Sequence, residues 1–85
     1  MRYAELSFEP FMTLQVSGAV AEAALAKFPN GWGLSVLRGM APFSLFGDDF
    51  ETCRQHPEHG MVHSSIERHR TIEAVQREID TVAAL

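Results

Sequence analysis

Towards the end of the chain, Ile72, Val75, Ile79 and Val82 recur at i, i+3, i+7 and i+10, the spacing of one stripe along a helix. Glu73, Gln76, Arg77, Glu78 and Asp80 fill the other faces, Thr71 stands where an N-cap hydroxyl belongs, and Glu73 precedes Arg77 by a favourable i, i+4 step. The pattern predicts an amphipathic helix with one side on a core. In the N-terminal third two periods compete. Phe11, Leu14, Gly18, Ala21, Leu25 and Phe28 follow a helical stripe, and AVAEAALAKF is rich in helix formers. Met12, Leu14 and Val16, however, alternate with Thr13, Gln15 and Ser17 as in a strand. One long helix is the expectation, stopped by Pro29, Asn30 and Gly31, with residues 10–17 open to either reading.

The middle of the chain reads as strands. WGLSVLRG, Trp32 to Gly39, is short, bounded by glycines and suited to a pleated surface. Met40 to Gly47 is apolar without a period and is broken by Pro42 and Gly47, which predicts a loop carrying Phe43, Leu45 and Phe46. DFETCRQHPEHGMVHSSI predicts two short strands around the turn Pro57-Glu58-His59-Gly60, with His56 opposite Met61, Arg54 opposite His63 and Cys53 opposite Ser64. The expected architecture is therefore α+β: a helix, a three-stranded antiparallel meander and a C-terminal helix, both helices on one face of the sheet. Leu14, Leu25, Phe28, Leu34, Val36, Ile72, Val75, Ile79 and Val82 form the expected core.

Composition narrows the class. The 85 residues suit a single small domain, 1–85, with a thin core, and 46% hydrophobic with 21% charged residues is a globular balance. The single cysteine, Cys53, leaves no internal disulfide. No apolar run approaches the roughly 18 residues that span a bilayer, and Met1 to Phe11 has no basic stretch ahead of an apolar one. A cytoplasmic protein with no membrane contact is expected. Net charge of −4 argues against nucleic acid, whose phosphates call for a basic face, and Arg68 and Arg70 flanking His69 make the only basic cluster. A protein partner with a basic surface suits the balance better.

Candidate chemistry concentrates in CRQHPEHGMVH, Cys53 to His63. A structural zinc site needs four converging ligands, and the spacing Cys-x2-His-x2-His-x3-His matches no common zinc module. Alternation along the predicted strands puts His56 and His63 on one face and Cys53 on the other. Cys53 is thereby separated from a histidine base and reads as a small buried hydrophobe. Asp48 and Asp49 beside Gly47 read as a solvated turn, and phosphate-loop, zincin and nucleophile-elbow motifs are absent from the sequence. No catalytic residue, metal or cofactor is assigned. The alternative is a metal-binding module or small hydrolase built on His56, His59 and His63.

Phe28, Pro29, Asn30, Gly31, Gly33, Ser35 and Val36, followed by Ser44 and Gly47, resemble a group of small bacterial and phage proteins. These share a Phe-Pro-Asn-Gly turn, a strand beginning Tyr-Gly-x-Ser-Val, a Ser-Tyr-Gly-Gly loop and a closing helix. Trp32 replaces the usual tyrosine, and Leu45 and Phe46 depart from the loop. The resemblance implies a context of phages and mobile elements, whose small proteins often block host defences by direct binding, as anti-CRISPR proteins do. The sequence thus predicts a non-enzymatic protein-binding module, an inhibitor in that context, which homodimerises where a free sheet edge is available. Its expected contact surface is Phe43, Leu45 and Phe46, flanked by Asp48, Asp49 and Glu51.

Overall fold

Residues 10–27 form a hairpin, not a helix. In the computed structural model, which describes residues 1–44 and 46–85, β1 (Glu9–Leu14) pairs antiparallel with β2 (Ala19–Lys27) around a turn at residues 15–18. Gly18 makes the turn possible: its φ is +73°, and its amide donates to the Leu14 carbonyl at 2.7 Å. β2 continues through the turn at Phe28–Trp32 into β3 (Gly33–Arg38), and β3 pairs with β4 (Phe50–His56). The far side of β4 carries two short pieces, β5 (Gly60–Met61) and β6 (Glu67–His69), separated by a 3-10 turn at His63–Ser65. One helix, α1 (Ile72–Ala83), closes the chain.

The result is a six-stranded antiparallel sheet with a single C-terminal helix, which corrects the predicted three-stranded meander between two helices. The error lies in AVAEAALAK, where helix propensity is strong but the sheet context wins. β2 lies between two neighbours, and Ala21, Ala24 and Ala26 are buried there. Alanine lets the layers approach closely.

α1 does what its stripe predicts. Val75, Ile79 and Val82 are fully buried against Ala26, Phe28, Leu34, Val36 and Phe50, and complete burial of such side chains contributes roughly 1.5–3 kcal/mol each. The Thr71 hydroxyl accepts from the Ala74 amide at 3.1 Å as the N-cap. The N-terminal segment joins α1 on this face. Tyr3, Leu6 and Phe8 pack on the core, the Tyr3 amide donates to Gln76 Oε1 at 2.6 Å, and the Tyr3 ring stands edge-on to Phe50. Leu25 and Ile72, expected in the core, are about half exposed, and Leu14 is only partly buried. Leu25 points away from α1, because its β3 neighbour is Ser35 rather than Leu34 or Val36.

Asn30 explains why the Phe-Pro-Asn-Gly turn sits where it does. Its Oδ1 accepts from the Trp32 amide at 3.0 Å, while its Nδ2 lies 2.9, 3.2 and 3.0 Å from the main-chain oxygens of Val82, Ala83 and Leu85. A turn between two strands therefore caps the end of a helix 52 residues later in the chain.

Candidate functional site

Strand register sorts every side chain of the sheet onto one of two faces. Leu34 faces Arg54 and Val36 faces Thr52 across the ladder, and all four belong to the α1 side, where Arg54 reaches Glu78 on the helix. The alternate set, Ala23, Leu25, Ser35, Leu37, Glu51, Cys53 and Gln55, lies on the opposite face. No helix covers that face among the described residues.

It holds a groove of about 410 Å³. Ala23, Leu37, Ser35 and Cys53 form the floor, with Phe11 and Met12 of β1 along one side, Met61 and Ile66 along the other, and Met40 with Glu51 at the end nearest the 40–48 loop. Phe11 is 57% exposed, Leu25 and Met61 49% and Ile66 44%, an unusual concentration of large apolar side chains on one face of so small a molecule. Three of the four methionines line it, and their flexible, polarisable side chains adapt to varied apolar surfaces. Both edges of the sheet are blunted. β1 carries Pro10 and a register shift between Pro10 and Met12, and the opposite edge is interrupted by the turn between β5 and β6.

The loop predicted from sequence adjoins this groove through Met40 and Glu51. Phe43 sits half-buried in a 3-10 turn (Ala41–Phe43), and Phe46 is 71% exposed. Leu45 lies outside the described residues. The three carboxylates are already engaged. Asp48 accepts from Arg70 Nε at 2.9 Å, Glu51 pairs with Arg68 at 3.6 Å, and Asp49 Oδ1 accepts from the Ala41 amide at 3.4 Å. Arg68 and Arg70, the basic cluster of the sequence, are thus used internally by the acidic cluster beside it.

The histidine-rich hairpin is tighter than its sequence predicts. His56 pairs with Gly60 and Gln55 with Met61, a register one residue away from the expected one, and the ladder then breaks. The turn at His63–Ser65 leaves the Arg54 amide without a strand partner, and the Ser65 hydroxyl takes its place: it accepts from Arg54 N at 2.8 Å and donates to the Val62 carbonyl at 2.6 Å. The buried Cys53 thiol also points at the Val62 carbonyl, 3.5 Å away. His56 stacks on His59 and stands edge-on to Trp32, while its Nδ1 accepts from the Glu58 and His59 amides. Among the described residues no group of three or more His, Cys, Asp or Glu side chains is arranged to hold a metal ion.

Two part-buried polar pairs lie under α1. Arg54 donates through Nε and Nη2 to both carboxylate oxygens of Glu78, at 3.1 and 2.9 Å, and these bonds outweigh desolvation and raise the arginine above its ordinary pKa. Thr52 Oγ1 lies 2.8 Å from His69 Nε2, a hydroxyl–imidazole pair with nucleophile-and-base composition, but Thr52 is 1% exposed and closed to any substrate.

The groove was not legible in the sequence. Once residues 11–28 are read as a helix, no apolar sheet face is left over, and Met12, Ala23, Leu37, Met40, Met61 and Ile66 have no assigned role. The one available signal was the alternation of Met12, Leu14 and Val16. No family model, curated protein or solved structure matches the chain. No helix among the described residues is long and apolar enough to cross a membrane.

Proposed function

We propose that the chain is a non-enzymatic protein-binding module whose contact surface is the apolar groove on the helix-free face of the sheet. The observation that carries this reading is the placement of Phe11, Met61 and Ile66 on the groove and Leu25 beside it, each roughly half exposed, on the sheet face that no helix covers among the described residues. Phe46, 71% exposed, lies on the loop that follows Met40. Recognition rests on apolar contact more than on charge, because Asp48 and Glu51 hold Arg70 and Arg68. A basic partner would have to compete with those arginines. The narrower role of phage-encoded inhibitor rests only on the resemblance carried by Phe28–Val36, Ser44, Gly47 and the closing helix.

A photoreactive residue placed at Leu25, beside the groove on the same face, or at Glu73, on the exposed side of α1, tests the surface. Protein adducts from position 25 that are missing from position 73, and that vanish when Met61→Asp is added, support the reading. Equal adducts from both positions, or none from position 25, overturn it.

A further inference from the structure

We propose that the occupant of the groove is a second copy of this chain, packed face to face about a two-fold axis that runs along β3. The inference rests on the reading of this face as a protein-binding surface and names its partner. The register supplies the reason. Glu9, Ala23, Leu37, Glu51 and Arg68 are successive neighbours across β1, β2, β3, β4 and β6, so they form one row spanning the sheet. The row is anionic at Glu9, centred on Leu37 of the middle strand, and ends in the Glu51–Arg68 pair, 3.6 Å apart. Half a turn about β3 brings β1 of one copy over β6 of the other. Glu9 of each copy then lies over Arg68 of the other and shares that guanidinium with Glu51, while Ala23 of each copy lies over Glu51 of the other, so one row makes two shared charge pairs.

The adjacent row obeys the same symmetry. Leu25, Ser35 and Cys53 are neighbours across β2, β3 and β4, so the rotation keeps small Ser35 at the axis and sets Leu25 of each copy over Cys53 of the other. In the next row Lys27 meets neutral Gln55. None of these registers opposes like charges. Self-association through the edges is the weaker route, since Pro10 removes a donor from β1 and the opposite edge is broken between β5 and β6.

The size of the face sets the expected strength. Four inter-strand steps of about 4.8 Å and six residue steps of about 3.3 Å outline roughly 19 by 20 Å in projection, and two sheets pack about 10 Å apart. That is about 380 Å² on each copy and about 760 Å² for both in projection, below the roughly 1,200 Å² at which stable specific interfaces begin, so a weak dimer with a dissociation constant in the high micromolar range is expected.

Sedimentation of the purified chain between about 5 and about 500 µM is the test. A monomer–dimer equilibrium is expected, weakened at least about tenfold by Glu9→Arg, or by Arg68→Glu made in a Glu51→Gln background that removes the carboxylate beside it in the same copy, because each substitution sets two like-charge pairs face to face. In that Glu51→Gln background the double variant E9R/R68E restores the pairs with reversed sign and should return within about threefold of its E51Q parent. Leu25→Asp, at an exposed site outside every ion pair, should abolish the dimer while the circular dichroism melt of the monomer is kept. A chain that stays monomeric throughout, or a dimer indifferent to Leu25→Asp or to both single charge reversals, overturns the proposal. Monomeric protein whose position 25 still captures a different protein removes the second copy and leaves the binding reading standing, whereas monomeric protein with no adduct removes both.

Discussion

Asn30 gives the sharpest test of how this fold is held together. Its side-chain amide has two hydrogens and three main-chain oxygens within 3.2 Å, so it makes at most two of those bonds at once, besides the turn bond from the Trp32 amide. Asn30→Ala removes all of them. Each net bond contributes about 0.5–1.5 kcal/mol, and water can replace partners on the exposed side, so a loss of about 1.5–2.5 kcal/mol is expected. In a domain of this size that lowers the melting temperature by roughly 10 °C. Asn30→Asp separates the turn from the cap. The aspartate still accepts from Trp32 but directs negative charge at carbonyl oxygens and at the negative end of α1, a repulsion of about 0.3–1 kcal/mol. Its carboxyl pKa is therefore higher in the folded chain than in the unfolded one. A raised folded pKa means the penalty is complete above that value and is relieved as pH falls below the ordinary carboxyl range, where the neutral acid can also donate. Urea denaturation of both variants at neutral pH and near pH 3.5 reads this directly. The N30D variant should gain on N30A as pH falls. A gap between them that does not change with pH, or an N30A cost below about 0.5 kcal/mol, refutes the tie between turn and helix.

Three further outcomes follow from other contacts. Ser65→Ala leaves the part-buried Arg54 amide without an acceptor and should cost about 1–3 kcal/mol, with faster hydrogen exchange at that amide as the local signature. Arg54→Leu strands Glu78, which is 7% exposed, and should destabilise by about 2–3 kcal/mol, less than a fully enclosed pair because the arginine keeps contact with water. In denaturant titrations the double variant Arg54→Leu/Glu78→Leu should recover a large part of that loss. Gly39→Ala adds a Cβ 2.9 Å from the Val20 carbonyl at a φ of +74°, and its cost should be about 2 kcal/mol, against about 1 kcal/mol for Gly18→Ala, whose surroundings are open.

Local signals and long-range placement divide cleanly in this chain. The helix at Ile72–Ala83, its Thr71 cap, the strand at Gly33–Arg38 and the irregular loop after it all follow from near neighbours, which is why they are readable without a structure. The segment Ala19–Lys27 is not, because its alanines favour a helix and become a strand only once β1 and β3 flank them. That one misreading propagates. With a helix there, the sheet has three strands and no spare face. With a hairpin there, the sheet gains two strands while only α1 and the N-terminal segment are available to cover it. The histidine-rich turn shows the same limit at smaller scale: Pro57 and Gly60 announce a turn, but the break in the ladder at His63–Ser65 exists because β4 must pair with β6 as well as with β5.

The amino-acid sequence alone decided the turns at Pro29–Gly31 and Pro57–Gly60 and which stripe of α1 is buried. These are properties of residues a few positions apart, set by backbone geometry and hydrophobic period. The tertiary structure alone decided that Asn30 caps a helix 52 residues away, that Arg68 and Arg70 are held by Glu51 and Asp48, and that no helix covers one apolar face of the sheet among the described residues. Each depends on which strands become neighbours, and pairing is selected by the total burial of the whole sheet rather than by any local stretch of it.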